Sequence, residues 1–237
     1  MLKKTFIIYI LLIHVLVAVL VIKTDTYHAI MLKLGKQPTN SQTEHYINSL
    51  YAFQSYLDQQ IESSHDFVVG DSIGQSLNTI NLDSPVINWG IGHNTSQRLL
   101  EKIASLSSLK NARRVIIFIG INDLNANRSV AEIVENSRGI LKMLSTNTQV
   151  FWVSTFHMAE DRHNAELINN RVTKLNIEMK NVSQNDPRVT FLNINSEFSQ
   201  NGYLKKKYDR GDGLHINRDG YRVITEWINR EVLNASE

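Results

Sequence analysis

The sequence of 237 residues has no cysteine and only three prolines. Without cysteine it can form no disulfide framework, no thiol nucleophile and no thiolate metal site. An excess of one charge is also absent, because 25 lysines and arginines are balanced by 23 aspartates and glutamates. This balance argues against a nucleic-acid partner, since such proteins concentrate basic charge on one surface. The hydrophobic content of 42% is that of a globular protein.

Formal charge is absent from Thr5 to Ile22, directly after Lys3 and Lys4. A helix of that length spans about 27 Å, close to the roughly 30 Å of a bilayer's hydrocarbon core. The run ends without the small residues of a cleavage site, which favours an uncleaved transmembrane helix over a cleaved signal peptide. We therefore expect a single-pass membrane protein with its main domain on the periplasmic or extracellular side. A cleaved segment would make it a secreted protein.

The chain divides into three predicted segments. Residues 1–22 form the anchor or signal, residues 23–64 a spacer with a leading helix, and residues 65–237 one domain. The leading helix is predicted because apolar residues recur at three- and four-residue spacing; these are Tyr46, Leu50, Phe53, Leu57 and Ile61.

After residue 64, short β-rich runs alternate with amphipathic helices. The predicted strands are residues 67–69, 86–88, 115–119, 150–154 and 189–194. The predicted helices are residues 96–106, 130–144, 165–182 and 221–233. Continuous apolar strands indicate a parallel sheet that is covered on both faces. Ligands of such sheets bind outside the carboxyl ends of the strands.

A serine between glycines, in the run Gly70–Gly74, follows the first predicted strand. At a strand-to-helix turn the Ser72 hydroxyl would be exposed and its backbone N–H free. A helix N-cap is the competing reading of the same residue. The run also matches the nucleophile elbow of α/β-hydrolases. Order and spacing argue against that fold, because the serine follows the first strand of the domain and the candidate acid and base are three residues apart.

Asp212 and His215 lie near the C-terminus, three residues apart. A neutral imidazole can accept a serine proton, because its reference pKa of about 6.5 lies near working pH. A carboxylate bonded to the other ring nitrogen fixes the tautomer. Without Ser72 the pair would be an ordinary exposed loop pair.

Two further runs hold candidate hydrogen-bond donors. Asn122 follows the most apolar strand, and its amide can donate to an oxyanion. The glycines of residues 88–94 let a backbone N–H approach a substrate oxygen closely. Gly92 or the backbone of His93 is the candidate donor there, and Gly92 is preferred. Ordinary turns are the competing interpretation of both runs.

Taken in order, the four motifs resemble those of the SGNH (GDSL) hydrolase family over about residues 66–232. The resemblance implies a three-layer, flavodoxin-like α/β fold with a central five-stranded parallel sheet. It implies that Ser72 is the nucleophile, His215 the base and Asp212 its orienting acid. The oxyanion hole would consist of the Ser72 N–H, the Gly92 N–H and the Asn122 side chain. One departure is that Gly92 is followed by His93 and Asn94, whereas many relatives have an acidic residue after this block.

The resemblance implies a serine esterase that forms an acyl-enzyme intermediate. Its substrate would be a small ester, a lipid or an acylated glycan, and an O-acyl group of an envelope polysaccharide is the preferred expectation. Transfer of the acyl group to a glycan by the same triad is one alternative. A non-catalytic glycan-binding protein on the same fold is another.

No cofactor or metal is expected. His157 and His163 flank two carboxylates in residues 157–163, but without a recognised ligand spacing. This segment follows the fourth predicted strand, and we expect it at the rim of the cleft, as a solvated or substrate-facing loop.

Overall fold

Five short strands form the centre of the main domain. They are β1 (Asp66–Gly70), β2 (Val86–Gly90), β3 (Arg114–Phe118), β4 (Gln149–Val153) and β5 (Val189–Leu192). All are parallel and pair in the order β2–β1–β3–β4–β5. The strand order therefore reverses between β1 and β3, which is the point where doubly wound sheets bind their ligands.

This is a computed structural model, and it describes residues 2–23, 41–62 and 64–234. The longer helices are α1 (Leu2–Lys23), α2 (Ser41–Asp58), α4 (Ser96–Ser105), α7 (Val130–Met143), α8 (Ala165–Gln184) and α10 (Arg218–Ile228). The short ones are α3 (Ser72–Gln75), α5 (Ser107–Lys110), α6 (Ile121–Asn125) and α9 (Asn195–Phe198). A π-helical turn, Asn229–Leu233, follows α10. A small antiparallel hairpin is formed by β6 (Ser199–Gln200) and β7 (Tyr203–Leu204).

The sheet separates two apolar clusters. Ile117 of β3 packs with α4 and α8 through Ile103 and Val172. Ile116, the neighbouring residue of the same strand, packs on the opposite face with Ile224 of α10. Adjacent strand residues point to opposite faces, and both faces are buried here. This explains why β3 is apolar without alternation.

Polar contacts fix α2 beside α4 and α5. The Asp58 carboxylate accepts the backbone N–H groups of Ser107 and Ser108 at 2.8 and 3.0 Å, and so caps the start of α5. Lys102 of α4 donates to the Tyr51 carbonyl at 2.8 Å. The apolar stripe that predicts α2 is not its buried face, because Phe53 is 57% exposed.

The predicted α/β fold with a central five-stranded parallel sheet is confirmed. Every predicted strand is present, with ends within two residues of the predicted ones. The four predicted helices after residue 64 are present as α4, α7, α8 and α10. The last of these begins three residues earlier than predicted, because Asn217 caps its N-terminus by accepting the Gly220 N–H.

The chain forms two compact units, Met1–Ser41 and Gln42–Glu237. In the residues that the structure describes, no helix has both the length and the apolar character needed to cross a membrane. This finding does not support the predicted anchor. Most of the predicted spacer, residues 24–40, lies outside the described residues.

Candidate active site

Ser72 begins α3 immediately after a sharp turn out of β1. Gly70 permits the turn: its φ is +130°, and a Cβ there would lie 1.8 Å from the carbonyl oxygen of Phe118. Asp71 is the N-cap of α3, and its Oδ1 accepts the Ile73 N–H at 2.9 Å. Because Asp71 caps the helix, the competing N-cap reading of Ser72 is wrong, and the Ser72 hydroxyl is free for another partner.

The partner of that hydroxyl is His215, from the other end of the domain. Ser72 Oγ lies 3.0 Å from His215 Nε2, and His215 Nδ1 lies 2.6 Å from Asp212 Oδ2. An ionised carboxylate can only accept, so the imidazole carries its proton on Nδ1. Nε2 is then the acceptor for the serine hydroxyl. The structure thus brings together the three residues that the sequence predicts as nucleophile, base and acid.

Hydrogen bonds hold Asp212 in its ionised form. Burial alone would raise the pKa of this carboxyl. However, the backbone and ring N–H groups of His215 and the Leu214 N–H lower the pKa well below its ordinary value. Asp212 Oδ1 accepts the two backbone N–H groups, at 2.8 and 3.0 Å. Arg210 donates to Oδ2 at 3.1 Å. An ionised carboxylate therefore faces the imidazole and accepts its Nδ1 hydrogen.

The loop that carries Asp212 and His215 is fastened from two sides. Asp209 Oδ1 accepts the Gly213 N–H at 3.0 Å. The Gly213 carbonyl accepts the Ala159 N–H at 2.9 Å, and the Asp212 carbonyl accepts a hydrogen bond from Arg162. The segment predicted as a rim loop, residues 157–163, therefore supports the acid–base loop. No sequence motif indicated this role of Arg162 and Ala159.

His157, in the same segment, hydrogen-bonds to two hydroxyl groups. Its Nδ1 lies 2.8 Å from Ser199 Oγ, and its Nε2 lies 3.1 Å from Thr173 Oγ1. Burial lowers the pKa of this imidazole. Among the residues that the structure describes, no group of three histidines or carboxylates is placed to hold a metal ion.

Asn122 lies at the matching position beyond β3. Gly120, with φ +129°, turns the chain into α6. A Cβ on Gly120 would lie 2.8 Å from Thr155 Oγ1. The Asn122 side chain donates one amide hydrogen to the Asn94 carbonyl at 2.9 Å, which fixes its orientation. The second amide hydrogen is left for another acceptor. Ser72 N–H, at the first position of α3, makes no hydrogen bond within the described residues.

Gly92 lies beside Ser72, but its N–H already has an acceptor. A Cβ on Gly92 would lie 3.9 Å from the Ser72 Cβ. The Gly92 N–H donates to Gln75 Oε1 at 2.8 Å, and Gln75 Nε2 donates to the Tyr46 hydroxyl at 2.8 Å. Sequence reasoning missed both side chains. Gln75 is three residues after Ser72 on α3, which is a detectable signal, whereas Tyr46 belongs to no motif.

Asp71 is unusual because its carboxyl is fully enclosed. It is 2% exposed. Burial raises its pKa to about 7, the Ile73 N–H opposes this rise, and the nearby Asp123 carboxyl adds to it. A small cavity of about 20 Å³, lined by Asp71, Phe118 and Leu214 among others, lies next to this group. Asp71, the residue before Ser72, is therefore a structural cap whose charge is disfavoured by the fold.

Comparison with known proteins adds a family match and structural relatives. The model of the GDSL-like lipase/acylhydrolase family matches residues 58–223. A candidate platelet activating factor from Streptococcus pneumonia is 19% identical, with a TM-score of 0.74 over 85% of this chain and 98% of that one. A GDSL-like lipase from Bacteroides thetaiotaomicron is 16% identical, with a TM-score of 0.67 over 76% and 95%. The acetyl xylan esterase AlAXEase is 16% identical, with a TM-score of 0.58 over 71% and 99%. No curated protein matches the sequence.

Proposed function

The chain belongs to the GDSL-like lipase/acylhydrolase family, and from this premise we propose that it hydrolyses carboxylic esters with Ser72 as nucleophile. One observation carries the proposal: an unbroken hydrogen-bonded path runs from Asp212 through His215 to Ser72, with distances of 2.6 and 3.0 Å. Three unrelated exposed residues would not be expected to form such a hydrogen-bonded series.

The proposed reaction has two halves. Ser72 Oγ attacks the ester carbonyl carbon while its proton passes to His215 Nε2. The tetrahedral intermediate collapses, the alcohol leaves with that proton, and an acyl-enzyme remains. Water then attacks the acyl carbon, again giving a proton to Nε2. The second collapse returns this proton to Ser72 and releases the acid. Asp212 stabilises the imidazolium in both halves.

The proposed oxyanion hole lies at the ends of β1 and β3. The Ser72 N–H and the second amide hydrogen of Asn122 are its available donors, and the Gly92 N–H is its third. Donors that are fixed before the reaction stabilise the developing charge without reorganisation. Gly70 and Gly120 support this geometry, because each turns the chain sharply at the end of its strand.

We propose an O-acyl group, and O-acetyl first, as the substrate. The likeness in fold to an acetyl xylan esterase supports this choice, although that activity belongs to the other protein. The site is accessible from solvent, since the His215 side chain is 24% exposed and that of Asp212 38%. Transfer to a glycan would use the same acyl-enzyme and would appear in the assay below as a product that needs an acceptor.

The location of the protein is a separate proposal, which rests on the uncharged run Thr5–Ile22 after two lysines. We propose that the domain acts outside the cytoplasm, on an envelope polysaccharide or lipid. Protease treatment of intact cells tests this, because an external domain is digested without lysis. Protection until lysis would contradict it.

A fluorophosphonate probe tests the nucleophile directly. We expect the wild-type chain to be labelled and to hydrolyse short-chain, long-chain or sugar-acetate esters, with and without a glycan acceptor. Ser72→Ala should abolish both labelling and turnover, whereas Ser76→Ala, a serine one helical turn further on, should abolish neither. Equal labelling of Ser72→Ala would remove Ser72 from its role. A wild-type protein that binds glycans but is neither labelled nor active would be a binding protein.

A further inference from the structure

A glutamine side chain lies between the nucleophile and the first helix of the main domain. Gln75 Oε1 accepts the Gly92 N–H at 2.8 Å, and Gln75 Nε2 donates to the Tyr46 hydroxyl at 2.8 Å. The orientation of the carboxamide follows from chemistry. A backbone N–H can only donate, so the carbonyl oxygen must face Gly92 and the NH₂ group must face Tyr46.

This carboxamide is next to the reaction centre. Ser72 and Gln75 are three residues apart on α3, and residues at that spacing lie on one face of a helix. The position of a Cβ on Gly92 would be 3.0 Å from Gln75 Oε1 and 3.9 Å from the Ser72 Cβ. The oxygen of Gln75 is therefore bonded to a candidate oxyanion donor within a few ångströms of the nucleophile.

The contact between Gln75 and Gly92 is of the same chemical kind as the one that a bound ester would make. The Gln75 oxygen is a carbonyl oxygen, as is the ester oxygen that the hole must bind. The Gly92 N–H has one hydrogen and already donates it, so an incoming ester finds only two open donors, the Ser72 N–H and the Asn122 amide. An ester oxygen can bind the third donor only when the Gln75 side chain rotates away.

We propose that Gln75 is a built-in occupant of the oxyanion hole, that Tyr46 holds it there, and that the substrate must displace it before acylation. Both are positioning residues in this mechanism. The inference rests on the proposed function, because it assigns the Gly92 N–H to the oxyanion hole. It adds a step that the family resemblance does not contain.

Tyr46 lies outside the residues that match the family model. It lies on α2, ahead of residue 58, where the match to the family begins. Tyr46 is 42% exposed, and its hydrogen bond with Gln75 lies at the surface. Asp58, Tyr51 and Lys102 fasten α2 to the domain through the contacts described above, which fixes Tyr46 relative to α3.

The test compares kcat/KM of the full chain for a short-chain nitrophenyl ester. Removing the occupant in Gln75→Ala should raise kcat/KM by about 2- to 12-fold, the range of one net hydrogen bond. Gln75→Glu keeps an acceptor and charges it, so the contact tightens and kcat/KM should fall by about 10-fold. Tyr46→Phe should raise kcat/KM by about 2-fold, because Gln75 then loses one of its two bonds.

Matched controls separate this effect from general loosening. Tyr56→Phe changes an exposed tyrosine of the same helix, and Gln97→Ala an exposed glutamine of α4. Both should keep the wild-type kcat/KM. If Gln75 only supports the Gly92 loop, the changes in kcat/KM are different. Gln75→Ala then has a lower kcat/KM than wild type. Gln75→Glu, which keeps the hydrogen bond, has a kcat/KM close to that of wild type.

Each outcome has a fixed meaning. A faster Gln75→Ala with a slower Gln75→Glu supports the inference. A Gln75→Ala that is equal to or slower than wild type, with Ser72 still labelled by a fluorophosphonate, overturns the inference and leaves the proposed function standing. A wild-type chain whose Ser72 takes no label overturns both.

Discussion

Replacing Asp71 by asparagine is expected to make the stability of the domain less dependent on pH. Asp71 caps α3 through the Ile73 N–H, and the residue is 2% exposed. Asparagine is as good an N-cap as aspartate and is nearly the same size. The substitution therefore keeps the hydrogen bond and removes only the ability to ionise.

The size of the effect follows from the pKa of this carboxyl. It rises from 3.8, the ordinary value, to about 7 in the folded chain, mainly because of burial. The folded state holds the proton more tightly than the unfolded state, so the contribution of Asp71 to the free energy of unfolding is complete below pH 3.8. It is lost as the pH rises towards 7. A difference of about 3 in pKa corresponds to about 4 kcal/mol.

Urea unfolding of both proteins at pH 5 and pH 8, followed by tryptophan fluorescence, measures this contribution. Asp71→Asn should be more stable than wild type at both values, with an advantage that grows by roughly 2 to 3 kcal/mol between them. Asp161→Asn, at an exposed carboxylate, is the control and should follow the wild type. A constant difference between Asp71→Asn and wild type from pH 5 to pH 8 would refute the reasoning.

Three more predictions concern the site and its support. In steady-state ester assays, His215→Ala and Asp212→Ala should each lower kcat by about 10³-fold or more, and the histidine change should be at least as severe. Wild-type rates in both variants would contradict the triad assignment. Asn122→Ala should lower kcat by about 10²- to 10³-fold with little change in KM, and an effect on KM alone would contradict a role in the oxyanion hole. Gly70→Ala should prevent folding, judged by circular dichroism, because its Cβ meets backbone. Gly211→Ala, also at positive φ but with open space around it, should cost only about 1 to 2 kcal/mol; equal stability of the two variants would refute the steric argument.

The sheet and the position of the site follow from sequence patterns for clear physical reasons. Strands buried on both faces are continuously apolar, so β3 is recognisable from composition alone. Parallel strands end at one edge, so the residues after β1 and β3 must be neighbours. This is why the neighbourhood of Ser72 and Asn122 is predictable without any knowledge of the contacts between them.

The features that escaped prediction depend on which faces pack together. The spacing of Leu50 and Phe53 indicates a helix but does not tell which side is buried. In the structure Ile47 and Asp58 face the domain instead, because the Asp58 carboxylate caps α5. The contact between Tyr46 and Gln75 depends on the same packing choice. A local sequence pattern cannot predict a contact between two separate helices, because the contact exists only once both helices are packed in the folded domain.

The two halves of the candidate site differ in how they are held. Ser72 and Asn122 follow strands, and the glycines before them have backbone angles that ordinary residues rarely adopt. Asp212 and His215 lie on a loop, and hydrogen bonds with Asp209, Ala159 and Arg162 supply the rigidity that a strand would otherwise give. The sheet therefore fixes the positions of the proposed oxyanion donors, whereas the loop fixes the distance between Oγ and Nε2. Substitutions in the loop's contacts should consequently change the rate of proton transfer more than the stability of the fold.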